Sequence, residues 1–245
     1  LRGEYFCHRP LELVEEAERE CIRQAEAIRR REPAGIAILM EGLIQSGMSM
    51  AMAGASSPAS GGEHLISHYW DMTASAHGRE PDLHGRQISV ATVAAGRLWA
   101  AIREATRDGL DLDALPAGPS LEALQRRSRE HFTPLLGVSA AAEVAELVGR
   151  KWEAPDRLRA TLAPLAQEPR RVWEELERYL RKPEETAAAY RAAGAPTAPA
   201  QVGVSVAQAR EAVVFARHIR DRYTILDLAD ALGMLECNAA LAFPE

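Results

Sequence analysis

Apolar positions recur along this chain at three- and four-residue spacing, and almost nowhere at the every-second-residue spacing of a half-buried strand. Leu11, Leu13, Val14, Cys21, Ile22, Ala25 and Ile28 form such a stripe between charged residues and predict a helix from about Pro10 to Arg31. Pro10 suits a first helical turn, where its missing N–H costs nothing, and Glu32-Pro33 ends the run. From Gly35 to about Gly54 the chain is apolar nearly all round, the pattern of a buried central helix. Gly42, Ser46, Ser49 and Ala53 there are small enough to let a neighbour approach closely. On this reading Met40, Met48, Met50 and Met52 are soft core filling. A helix from Glu63 to about Thr73 follows the small-residue loop Ala55 to Gly62. After a polar turn (His77 to Asp82), a long helix from His84 to about Arg107 places Ile88, Val90, Val93, Leu98 and Ile102 inside.

Beyond a loop from Gly109 to Pro119 the helices become shorter, with start signals at Ser120, Ser139, Pro155, Pro169 and Pro183. The stretch Gly194 to Gly203 contains Pro196 and Pro199 and reads as a hinge or surface loop. A last pair covers Ser205 to Arg220 and Thr224 to Leu232, with Gly233 as C-terminal cap. Trp99, Trp152 and Trp173 fall within helices as packing residues, and Arg126, Arg127 and Arg129 form a solvated face. There is no GxGxxG turn, no phosphate-binding P-loop and no fixed-period repeat. The chain reads as all-α. It forms one domain over 1–245, which divides at most into helices within 1–108 and a shorter helical subdomain over 120–245.

Composition narrows the function classes. A formal net charge of −6 argues against nucleic acid or an anionic membrane as the main partner. Glu41 and Gln45 interrupt the longest apolar stretch, so no membrane insertion is expected. Cys7, Cys21 and Cys237 are odd in number and far apart, which suits a reducing, cytoplasmic setting rather than a disulfide framework. Leu1 is not an initiator methionine, which suggests a piece of a longer reading frame.

Chemistry concentrates in one place. Four of the seven histidines, His64, His68, His77 and His84, fall within 21 positions. His64 and His68 stand four apart on a helix, so both imidazoles leave from one face, a common way to offer two nitrogen ligands to a metal. His84, at a helix start, is placed to converge on them. A nearby carboxylate aimed at the same point is less evident. Asp71 is close in sequence, and Glu63 points roughly 100° away from His64 on a helix.

The segment Pro58-Ala59-Ser60-Gly61-Gly62-Glu63-His64, with His68 four residues later and His84-Gly85 opening the next long helix, resembles the signature of the glycerol-1-phosphate dehydrogenases. These form a branch of the superfamily of iron-containing alcohol dehydrogenases and dehydroquinate synthase. The resemblance implies a dehydroquinate synthase-like helical domain of roughly nine to ten helices, without the Rossmann-like N-terminal domain that binds NAD(P) in that group. It implies His64 and His84 as ligands of a divalent metal (zinc, iron or nickel), with a carboxylate ligand from an upstream segment that these residues lack. It further implies His68 as proton relay and a small polyol phosphate as substrate, dihydroxyacetone phosphate paired with glycerol 1-phosphate. Helical domains of this group often pair, so a homodimer is expected. By this reading residues 1–245 alone do not complete a catalytic cycle.

One departure bears on substrate. The family often carries a basic residue just before its Pro-Ala-Ser-Gly segment, where this chain has Ser57. Ser60, with the amides of Gly61 and Gly62, either contacts a substrate anion at the helix start or simply forms a tight turn. Two other readings compete, a non-enzymatic helical module and a dehydroquinate synthase-type cyclase. Against the cyclase stand Gly61, where that branch has Asn, and Arg86, where it has Glu after His-Gly.

Overall fold

The short apolar runs between prolines and serines close into helices throughout. The computed structural model describes residues 1–3 and 7–245, and among them there is no β-strand. The first helical run breaks at Gln24 into α1 (His8–Arg23) and a short α2 (Ala25–Arg29). There follow α3 (Pro33–Ala53), α4 (Gly62–Thr73) and α5 (His84–Thr106). A chain of shorter helices comes next: α6 (Leu121–Leu136), α7 (Val138–Arg150), α8 (Pro155–Gln167), α9 (Pro169–Glu177) and α10 (Pro183–Ala192). The end of the chain holds α11 (Val206–Phe215), α12 (Ile225–Ala231) and α13 (Leu235–Ala242).

The start signals act as the sequence suggests except at Ser139, which falls inside α7 behind a Gly137 cap. Pro begins α8, α9 and α10, and the Ser120 and Ser205 hydroxyls accept from the backbone N–H of Ala123 and Gln208. Gly233 takes the left-handed conformation after α12, with φ of 70°. The Gly194–Gly203 stretch is packed rather than hinge-like. Pro199 begins a 3₁₀ turn with Val202 buried, and the Pro196 carbonyl accepts from the buried Ser89 hydroxyl.

The core is centred on α4 and α5. Leu65, Ile66, Tyr69 and Trp70 from α4 meet Val90, Ala91, Ala94, Leu98 and Ile102 from α5. Residues of α11, α12 and α13 (Ala212, Val213, Leu226, Ala229, Ala239 and Ala242) complete the same cluster, together with Phe132 of α6.

One expectation is overturned. α3 is not a buried central helix: only Gly35 and Ser49 are buried, and Ile36, Met40, Leu43, Ile44, Met48 and Met52 are exposed. Met40, Met48 and Met52 are therefore not core filling. An all-apolar surface does not require burial, and α3 packs along α1 and α2 on one side only. Its 21 residues carry a single charge, Glu41, so among the described residues this is the one helix long and apolar enough to cross a membrane. The polar interruptions at Glu41 and Gln45 do not remove it from that class.

A buried charge cluster anchors α12 to α7. Lys151 Nζ lies 2.7 Å from Asp227 Oδ1, and Arg217 Nε donates to the same oxygen at 3.0 Å. Asp227 Oδ2 accepts from the Thr224 backbone N–H at 2.8 Å, closing a capping box. Burial pushes the Lys151 ammonium down to about 8, despite the facing carboxylate.

Nearby, His218 is buried beside Phe132 and Phe215, and its Nδ1 has no hydrogen-bond partner. Burial first, then the charges of Arg217 and Lys151, hold its pKa well below the usual histidine range. Burial also lowers that of His131, whose ring stacks on Phe215. Both rings stay neutral in the native state at pH values where the unfolded chain binds protons. Stability should therefore fall as pH drops below about 6.5, by up to about 1.4 kcal/mol per pH unit for each ring. Urea unfolding at pH 7 and pH 5 measures this, and His218→Asn should flatten the slope. Equal stability at the two pH values would refute it.

Candidate functional site

The polar face of α4 builds the site. Leu65, Ile66, Tyr69, Trp70 and Thr73 are buried, which leaves the stripe His64, His68, Asp71 at i, i+4 and i+7 on a less buried side. His84, the first residue of α5, comes up against that stripe. The His84 ring centroid lies 5.1 Å from those of both His64 and His68, and the His64–His68 separation is 6.4 Å. The three histidines singled out in the sequence do converge. Ligand atoms of His68, Asp71 and His84 also lie within 4.8 Å of one another, so a carboxylate joins the group after all.

Hydrogen bonding sets the tautomers. Gln87, fully buried at the start of α5, donates through Nε2 to Asp71 Oδ1 at 2.8 Å, so its Oε1 is the accepting end. The buried Ser67 hydroxyl donates to that Oε1 at 2.7 Å. Ser67 has one proton to give, so its 2.9 Å contact with His84 Nδ1 requires the imidazole to donate. The Nε2 lone pair of His84 is thereby available. Glu63 does the same for His64, accepting from Nδ1 at 3.0 Å. Metal-binding histidines are commonly oriented in this way, one ring nitrogen held by an oxygen and the other left for the ion. The donor set, two or three imidazoles and a carboxylate, fits a divalent first-row ion.

Electrostatics agree. Burial pushes the Glu63 carboxyl up, but hydrogen bonds from His64 and from the backbone N–H groups of Glu63 and Gly61 together hold it below the ordinary range. Burial lowers the pKa of His68, and the neighbouring His84, Arg220 and His64 lower it further, against a smaller opposing effect of Asp71. His68 is thus kept neutral near pH 7.

The loop before α4 is a 3₁₀ turn over Ser57–Ala59 with Ser60 extended after it. The Gly61 N–H donates to Glu63 Oε1 at 2.7 Å, so this amide belongs to the turn. Arg222 reaches across to the loop, donating to the Ser60 carbonyl and, at 2.8 Å, to Ser56 Oγ. A Cβ on Gly62 would lie 2.8 Å from Ile225 Cγ2, so only glycine lets the start of α12 sit against the start of α4. Sequence reasoning missed Ser67, Gln87 and Arg222 at this site, and gave Asp71 no role. Asp71 carried a usable signal, its place one further turn along the stripe. Ser67 and Gln87 show only as polar residues on faces otherwise filled by the core.

Comparison with known proteins bears on this cluster. The chain is 38% identical over 116 residues to the glycerol-1-phosphate dehydrogenase (NAD(P)+) of Pyrococcus horikoshii, a match covering 47% of this chain and 32% of that protein. It is 31% identical over 169 residues to that of Hyperthermus butylicus, covering 64% and 45%. The match to that of Staphylothermus marinus is 41% over 93 residues, covering 38% and 25%. The chain is a relative of the glycerol-1-phosphate dehydrogenases. It spans less than half the length of the curated glycerol-1-phosphate dehydrogenases it matches. No family model matches it. The relationship and the all-α fold agree with the resemblance carried by residues 58–64 and by His84-Gly85.

Proposed function

We propose that this chain is the metal-binding helical part of an NAD(P)-dependent polyol-phosphate dehydrogenase that interconverts dihydroxyacetone phosphate and glycerol 1-phosphate. The observation that carries the reading is the meeting of His64, His68 and His84, with the Nδ1 atoms of His64 and His84 each held by an oxygen. His64 and His84 would hold the ion through Nε2, with a carboxylate supplied from outside these residues. A zinc, iron or nickel ion there supplies Lewis acidity that lowers the pKa of a substrate hydroxyl.

The protein's own groups do the rest. His68, neutral at pH 7, would accept the hydroxyl proton, and a nicotinamide would supply the acceptor for the hydride of the substrate carbon. The nicotinamide would be bound by a domain not among residues 1–245. In the reverse direction His68 returns the proton to the carbonyl oxygen. Ser67 and Gln87 keep His84 in one tautomer, and Ser60, in the loop that opens α4, would contact the substrate. A cyclase reading gains nothing here, because Arg86 is engaged with Asp82 and the Gln201 carbonyl.

A second ligand set has its own support, since His68, Asp71 and His84 form a compact group inside this chain. Metal uptake by single variants separates the two. With zinc and equilibrium dialysis, His84→Ala should lose affinity by more than about 100-fold, and Ser67→Ala by about 10- to 100-fold. His68→Ala should retain zinc and, in a protein joined to a dinucleotide-binding domain, lose turnover. Loss of zinc from His68→Ala would transfer the ligand role to the second set. Absence of zinc binding by the unaltered chain, with phosphate released from a heptulosonate phosphate by the joined protein, would sink the dehydrogenase reading.

A further inference from the structure

The loop that opens α4 carries no charge from Ala55 to Gly62, yet the substrate class proposed above brings a phosphate dianion close to the histidines. In dihydroxyacetone phosphate the phosphate is attached to the carbon next to the carbonyl, so it must settle a few ångströms from the reacting atom. The nearby basic groups are mostly committed. Arg79 donates through Nη2 to the Trp70 carbonyl at 3.2 Å, and its unpartnered Nε and Nη1 are buried away from solvent; Arg86 is paired with Asp82 at 3.0 Å. Arg217 is held by Asp227 and Asp230, and Arg222 by Ser60 and Ser56.

Arg220 differs. It is exposed, and among the described residues no hydrogen bond or ion pair engages it. It follows directly on the 3₁₀ turn Ala216–Ile219, which packs against α4, and its backbone is extended, with φ of −144° and ψ of 153°. The extended segment is fixed at its far end by Arg222 on the loop and by Ile225 against Gly62. This places an unengaged guanidinium on the short segment between the turn packed on α4 and the Arg222 that bonds the Ser56–Ser60 loop. A guanidinium is planar, permanently charged and able to give two parallel N–H bonds to phosphate oxygens.

We infer that Arg220 binds the phosphate group of the substrate, supplying from the α11–α12 connection the positive charge that the loop at Ser57 lacks. The inference rests on the polyol-phosphate reading and adds the residue that would select a phosphorylated substrate over its uncharged counterpart. Arg222 serves as a positioning residue that keeps the segment over the α4 start.

Binding of inorganic phosphate, glycerol 1-phosphate and uncharged dihydroxyacetone to the zinc-loaded chain, followed by NMR or calorimetry, tests it. Arg220→Ala should weaken both phosphates by about 10- to 100-fold and leave dihydroxyacetone and zinc affinity unchanged. Arg220→Lys should restore part of the loss. Phosphate affinity that is unchanged in Arg220→Ala, or undetectable in the unaltered chain, overturns the inference. Zinc uptake on the same samples reports separately. Zinc retained with phosphate indifferent to Arg220 rejects only the phosphate site, whereas zinc absent with phosphate binding dependent on Arg220 rejects only the metal reading.

Discussion

Asp227→Ala should lower the stability of this chain by about 3–5 kcal/mol, because it strands the buried Lys151 ammonium and leaves Arg217 with Asp230 as its one acidic partner. Lys151 and Arg217 share Oδ1 of this carboxylate, at 2.7 and 3.0 Å, and the side chains of Lys151 and Asp227 are each 2% exposed. The other oxygen accepts from the backbone N–H and hydroxyl of Thr224, so the start of α12 loses the reciprocal half of its capping box in the same step. At about 2–4 °C per kcal/mol for a chain of this size, the melting midpoint should fall by about 6–20 °C. Circular dichroism on heating measures it. The double variant Asp227→Leu with Lys151→Met separates the cost of a stranded charge from the worth of the pair. It should recover part of the loss, since a buried ion pair often does no better than apolar groups of similar volume. A drop below 1 kcal/mol for Asp227→Ala would mean that water reaches the cations and the cluster is not closed.

Trp70→Ala should cost a similar amount, about 3–5 kcal/mol, by leaving a cavity at the centre of the molecule. Trp70 is fully buried on α4, with its ring 6.0 Å from that of Phe243 near the end of the chain. It follows His68 by two residues, so collapse around the vacancy should also disturb the histidine cluster and weaken its zinc affinity. Trp70→Phe provides the contrast. The indole Nε1 has no hydrogen-bond partner, so removing it relieves an unsatisfied donor while sacrificing less volume. Its loss should be well under half that of Trp70→Ala. Denaturant unfolding decides, and equal losses for the two variants would assign the role to the N–H rather than to packing.

Much of this architecture was legible because helices announce themselves through local rules. The spacing of Ile88, Val90, Leu98 and Ile102 located α5 to within a residue at its start. The prolines at 155, 169 and 183 marked three helix starts as the structure has them. The meeting of His64, His68 and His84 could be anticipated, since i and i+4 share a face and His84 opens the next helix. What the sequence did not reveal depends on partners far away in the chain. α3 looked like a core helix because composition does not say how many neighbours will pack on it. α13 went unpredicted, since Leu235–Ala242 is short and mixes Glu236 and Asn238 with apolar residues, without a periodic stripe. The Ser67–Gln87–Asp71 relay and the reach of Arg222 over residues 56–60 join positions whose proximity no periodicity encodes.

The exposed face of α3 implies a division of cooperativity. α1 and α3 pack mainly on each other, and their links to the remainder run through α2 against α10, the Glu18–Arg181 ion pair and the loop leading into α4. A unit joined by so few buried contacts opens at lower free energy than the α4–α5 core, as a separate foldon. Whatever covers its apolar face adds its own binding free energy to that opening equilibrium. Because α3 feeds directly into residues 56–60, the same event would steady the loop that Arg222 holds ahead of α4. The order of that loop is therefore coupled to the wetting of a helix that contributes no residue to the histidine cluster.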